Sequence, residues 1–97
     1  MVIALFWQEF HAWQETLPPS VVSTACELER PSGAGRAVQL DLATPDRLVQ
    51  VTIWESGEVD LVVGDLSTGE VLANEHMEVT TRLGLRGLLS DVSEAIN

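Results

Sequence analysis

The stretch TIWESGEVDLVVGD, residues 52–65, decides the fold. With Val51 before it, Ile53, Val59, Leu61 and Val63 alternate with polar residues at period two, as strands with one buried face do. Glu55-Ser56-Gly57-Glu58 separates the two runs, and Gly57 supplies the positive φ that a type I turn followed by a bulge requires. The segment is therefore a β-hairpin. Its other face is unusual, because it sets Trp54 near Glu58 and Asp60, with Val62 among them, on what reads as the uncovered side of a sheet.

Outward from this hairpin the pattern continues. Residues 37–43 place Val38, Leu40 and Leu42 on one face and Gln39 and Asp41 on the other, and Thr44-Pro45-Asp46-Arg47 forms the turn into residues 48–54. Residues 21–29 alternate through Val22, Cys26 and Leu28, which predicts a buried Cys26. A flexible SGAG loop, residues 32–35, follows. After residue 65, Asp65-Leu66-Ser67-Thr68-Gly69-Glu70 repeats the turn chemistry with Gly69 in the role of Gly57. Residues 71–79 carry Val71, Ala73, Met77 and Val79 on one face, interrupted by Glu75, which predicts an edge strand with a bulge.

Helices bracket the strands. Ile3, Phe6, Phe10, Trp13 and Leu17 form one stripe at helical spacing over residues 2–17, closed by Pro18-Pro19. Leu85, Leu88, Leu89, Val92 and Ile96 form a second stripe over residues 81–96, with Thr80 or Thr81 as cap. Gly84 and Gly87 each cost about 1 kcal/mol there relative to Ala, unless they let the helix approach the sheet. The expected architecture is α+β, in the order α-β-β-β-β-β-α, as one domain over residues 1–97. Short connections favour a five-stranded antiparallel meander. Two amphipathic helices and five one-sided strands are satisfied together if both helices cover one face and the other stays open.

Composition narrows the partners. Fifteen Asp and Glu oppose five basic residues, all arginine, for a net charge of −10. Nucleic acid and anionic membrane both call for a positive surface, so they are excluded, whereas a basic protein is drawn to such a chain. Cys26 is the single cysteine, so no internal disulfide forms. MVIALFW at the start lacks a basic lead and is too short for a signal peptide or a span. A cytoplasmic protein is the expectation.

Period-two counting assigns Glu27, Glu29, Gln39, Asp41, Gln50, Thr52, Trp54, Asp60 and Val62 to the open face. An indole in an acidic field fits a hot spot for a basic partner, worth about 2 kcal/mol or more on truncation. It equally fits a tryptophan that covers its cross-strand neighbours. Both readings stand at this point. Motifs for chemistry are missing: SGAGR has no P-loop Lys-Ser/Thr, no G-x-S-x-G occurs, and His11 and His76 have no Cys or His at metal spacing. A Cys26–His76 nucleophile pair requires the two to be adjacent in space. No enzyme activity and no cofactor are expected.

Beyond this residue-level reading, the chain resembles the TriTu-type immunity proteins. The likeness lies in the helix with Phe10 and Trp13, the TIWESGEVDL hairpin (residues 52–61), the GDLSTGE turn (residues 64–70), the Glu75-His76 pair and the Leu-rich last helix. Family members often carry an aromatic residue where this chain has Met77, and a more acidic last helix. The resemblance implies a monomer that neutralises a cognate toxin in a 1:1 complex by occluding its active site. The implied toxin class is an ADP-ribosyltransferase acting on elongation factor Tu. Trp54, Glu55, Glu58 and Asp60 stand at the motif positions; with Asp41 of the open face they are the expected partner-binding residues. The alternative is a small acidic secretion chaperone, which needs an apolar dimer face. A divalent-cation enzyme on the acidic face and a subunit that pairs through its fifth strand are further readings.

Overall fold

The computed structural model describes residues 2–28 and 35–96. The elements are α1 (Val2–Gln14), β1 (Val22–Leu28), β2 (Ala37–Ala43), β3 (Arg47–Trp54), β4 (Glu58–Asp65), β5 (Val71–Glu78) and α2 (Arg82–Ile96). The strands form one antiparallel sheet in sequence order, so β3 is the middle strand. This is the expected α+β architecture with an open sheet. Apart from Gly35, the SGAG loop lies outside the described residues.

Both helices cover one face. Val38, Leu40, Leu42, Val49, Val51, Ile53 and Val59 are fully buried there, with Phe6, Leu85 and Val92 of the helices above them. Truncating a Leu at such a position, for instance Leu40→Ala, leaves a cavity and costs about 2–5 kcal/mol. The helices run in the same direction, because their contacts advance together. Glu9 of α1 meets Arg82 and Arg86 early in α2, and Trp13 meets Ser93 late in α2. The hydrogen bond from Arg86 first, then that from Arg82, hold the Glu9 carboxyl below its ordinary range.

Helix ends follow from local chemistry. α1 ends at Gln14 rather than at residue 17. Pro18 has no N–H to offer the Gln14 carbonyl, which instead accepts from the Leu17 N–H at 3.2 Å. The Thr16 N–H and hydroxyl both donate to the Trp13 carbonyl, at 2.9 and 2.6 Å, and wind the chain out of the helix. At the start of α2 the Thr81 side chain accepts the Gly84 N–H at 3.0 Å, so Thr81 is the cap.

Two glycines of α2 separate cleanly. A Cβ on Gly84 would sit 3.1 Å from Val79 Cγ1 and 3.2 Å from Thr81 Oγ1, so close approach explains this residue. Nothing lies within 4 Å of a Cβ on Gly87, which is exposed, so close packing does not explain it.

The edges differ from expectation in one strand. Register pairs Ser23 with Leu42, Ala25 with Leu40 and Glu27 with Val38, so these three lie on the helix side. Gln14 of α1 confirms the side by donating to Ser23 Oγ at 2.8 Å. Val22, Cys26 and Leu28 therefore lie on the open side, and Cys26 is exposed rather than buried. Glu27 leaves the open face and pairs with Arg36, while Glu29 lies outside the described residues. At the other edge the expected bulge is present: Val63 pairs with Ala73 but Gly64 with Val71, so Leu72 is the extra residue. The bulge turns Val71 outward, to 65% exposure.

Gly57 carries the hairpin. Its φ is +97°, its carbonyl accepts the Val79 N–H at 2.7 Å, and a Cβ would lie 2.9 Å from the Val79 carbonyl oxygen. Gly57→Ala is therefore expected to cost about 1–3 kcal/mol. Gly87→Ala is expected to stabilise by about 1 kcal/mol, since only the helix-propensity term remains. Thermal unfolding of the two variants checks both signs, and a neutral Gly57→Ala would contradict the turn geometry.

Candidate binding face

The open side is organised in cross-strand rows. One row runs Cys26, Gln39, Thr52, Asp60, His76; the next runs Thr24, Asp41, Gln50, Val62, Asn74. Glu58, opposite Glu78, continues the face at the hairpin end, where Trp54 stands opposite Ala37. Asp41, Trp54, Glu58 and Asp60 are thus gathered on one surface. Trp54 is half-buried, and Ala37, between Leu28 and Trp54 in register, is fully buried although it faces the open side. The indole covers its neighbour and still offers exposed area.

Glu55 is placed differently. It follows Trp54, so it points to the helix side, where its carboxylate accepts backbone N–H groups of Val2 and Ile3 at the start of α1. It also lies 3.8 Å from Arg36. Its position in the hairpin motif is accounted for by the helix it caps.

His76 belongs to the face and was not anticipated from sequence. Its Nδ1 lies 2.6 Å from Asp60 Oδ1, and its Nε2 lies 3.8 Å from Glu58 Oε1. The available signal was the alternation Asn74, His76, Glu78 along β5, which sets all three on the open side. The bond to Asp60, followed by the charges of Asp60, Glu58 and Glu78, raises the imidazole pKa above its ordinary 6.5. Cys26 sits at the opposite end of the same row, four strand spacings or about 19 Å away, too far for a nucleophile pair. No polar or charged side chain is buried among the described residues, and none of their acidic, His and Cys groups is arranged to hold a metal ion.

Charge is sorted between the two sides. Among the described residues, Arg36 meets Glu27, Arg82 and Arg86 meet Glu9, and Arg47 donates to the Ala95 carbonyl, all on the helix side. Among the described residues, the open face carries Asp41, Glu58, Asp60 and Glu78 and no arginine. A cleft of about 470 Å³ between the helices is larger than any depression described on the open face. Its polar groups already serve one another: Trp13 Nε1 donates to Ser93 Oγ at 2.8 Å and Arg86 Nε to Glu9 Oε2 at 3.1 Å.

A raised folded-state pKa means that the His76 contact contributes fully below pH 6.5 and is lost as pH rises through the folded-state value. NMR titration is expected to place the His76 midpoint above 6.5, and Asp60→Asn to lower it. A wild-type midpoint at or below 6.5 would contradict the pairing.

No helix of the described residues is long and apolar enough to cross a membrane. No curated protein matches the chain. The sequence model of one family, described as Immunity protein TriTu, does match, over residues 8–94. That span takes in the end of α1 that packs on α2, all five strands with both glycine turns, and nearly all of α2. The chain belongs to the TriTu immunity protein family.

Proposed function

We propose that this protein neutralises a cognate toxin by laying its open sheet face over the toxin's active cleft. The observation that carries the reading is the sorting of charge, with every described arginine on the helix side and Asp41, Glu58, Asp60 and Glu78 sharing the other side with Trp54. Membership of an immunity family supports a protein partner. The net charge of −10 favours one with a basic contact surface.

The toxin class is proposed to be an ADP-ribosyltransferase that modifies elongation factor Tu. Such an enzyme binds NAD, whose pyrophosphate is held by N–H groups and cations. An acidic face complements that cleft and excludes the anionic cofactor by occupying its ground. Long-range attraction sets the encounter rate, and the exposed part of Trp54 resists separation. The protein acts as a monomer in a 1:1 complex, binding without catalysis.

The test is co-expression with candidate C-terminal toxin domains sought among the neighbouring genes, scored by growth rescue, followed by binding kinetics on the purified pair. Raising salt is expected to slow association far more than it speeds dissociation. Trp54→Ala is expected to weaken binding by about 2 kcal/mol, or about 30-fold. Binding within about twofold of wild type in Trp54→Ala, or equal salt effects on both rates, would count against the open face.

A further inference from the structure

The open face changes character along its strands. Its Trp54 end is acidic, and its far end is apolar. There Leu48, Gly64 and Val71 share one cross-strand row, and with Val62 and Leu66 they line a groove of about 270 Å³. Leu66 and Val71 are 53% and 65% exposed. The volume falls below the ~300–1,000 Å³ of sites for drug-sized ligands and suits a side chain.

Gly64 makes this groove, and the backbone does not require it. Glycine inside a strand costs about 0.5–1 kcal/mol relative to Ala, and it marks a bulge, a sharp bend or close approach by another molecule. Gly64 is not among the positive-φ glycines. A Cβ there would meet only the Glu70 carbonyl oxygen, at 3.9 Å, which is ordinary contact. The neighbouring bulge places its extra residue, Leu72, on β5, so β4 needs no special conformation at Gly64. The missing side chain instead leaves room on the open face for close approach by another molecule.

The walls are held in place before any partner arrives. The Leu66 N–H donates to the Asp46 carbonyl at 2.9 Å, tying the β4–β5 turn to the β2–β3 turn. Asp65 Oδ1 accepts from the Ser67 N–H and hydroxyl at 2.9 and 2.6 Å, and the Asp65 carbonyl accepts the Gly69 N–H at 2.8 Å. A preformed groove binds without first having to be ordered. Its rim carries Asp65 and Glu70, and no arginine among the described residues lines it.

The geometry points to a subsite in which the groove over Gly64 receives one aliphatic or aromatic side chain of the cognate toxin, carried beside a lysine or arginine that faces the Glu70 rim. This rests on the open-face reading above and extends it, because it names a second anchor at the opposite end of the face from Trp54.

The test measures association and dissociation rates for the wild type, Gly64→Leu, Val71→Ser and Trp54→Ala against the toxin domain that this protein rescues growth from, with thermal unfolding of each variant. Gly64→Leu fills the groove and is expected to speed dissociation at least about tenfold, with association within about twofold. Its melting temperature is expected to match or exceed wild type. Val71→Ser is expected to speed dissociation about threefold. A folded Gly64→Leu that dissociates at the wild-type rate overturns the subsite, and if Trp54→Ala still weakens the complex the open-face reading stands without it. If Gly64→Leu melts early, Val71→Ser decides, since that residue is exposed, and an unchanged rate overturns the subsite. Absence of binding by the wild type overturns both the subsite and the reading it rests on.

Discussion

The helix-side face of β3 is the constraint on which the structure depends. It reads Arg47, Val49, Val51, Ile53 and then Glu55, with charge at its ends and fully buried aliphatics between. Both helices pack on this strand. Arg47 donates to the Ala95 carbonyl at 2.9 Å, at the C-terminal end of α2, and Glu55 accepts N–H groups at the N-terminal end of α1. Each charge meets the helix end whose dipole it complements, and each satisfies backbone groups that the helix itself leaves over. One strand thus fixes the position of both helices along the sheet. It also fixes their common direction, since α1 begins at the Glu55 end and α2 finishes at the Arg47 end.

That arrangement has a consequence for the other side. With both helices committed to one face, no described element covers the second. The described arginines are drawn to the helix layer, where they neutralise Glu9 and Glu27 and cap α2. The open face keeps carboxylates, one imidazole, the indole of Trp54 and the apolar groove over Gly64. Under the proposed function, this surface combines a long-range field that attracts a basic partner with short-range apolar contacts that retain it.

Much of this was legible in the sequence where burial is strong. In β2, β3 and β4 only one face is apolar, so alternation identifies it, and Asp41, Trp54, Glu58 and Asp60 fall on the open side as period two requires. In β1 both faces carry apolar residues, and the greasier set, Val22, Cys26 and Leu28, faces out. Pairing with Leu40 and Leu42 and the bond from Gln14 set the side, and neither is visible in local periodicity. The surroundings of Glu55 and His76 are hidden from local periodicity for a related reason. Glu55 meets a helix start more than fifty positions away in the chain, and register across β4 and β5 is what brings His76 against Asp60. The family likeness carried by the hairpin and its second glycine turn was legible, and the match over residues 8–94 bears it out.

The three tryptophans divide between the two sides, Trp7 and Trp13 with the helices and Trp54 on the open face, so their indole N–H resonances report which side meets a partner. The decisive measurement is a ¹⁵N NMR titration of this protein with the inactivated toxin domain, following those three signals. The Trp54 indole is expected to shift or broaden while Trp7 and Trp13 stay in place. Movement of Trp13, whose indole borders the cleft between the helices, with Trp54 unchanged would contradict it.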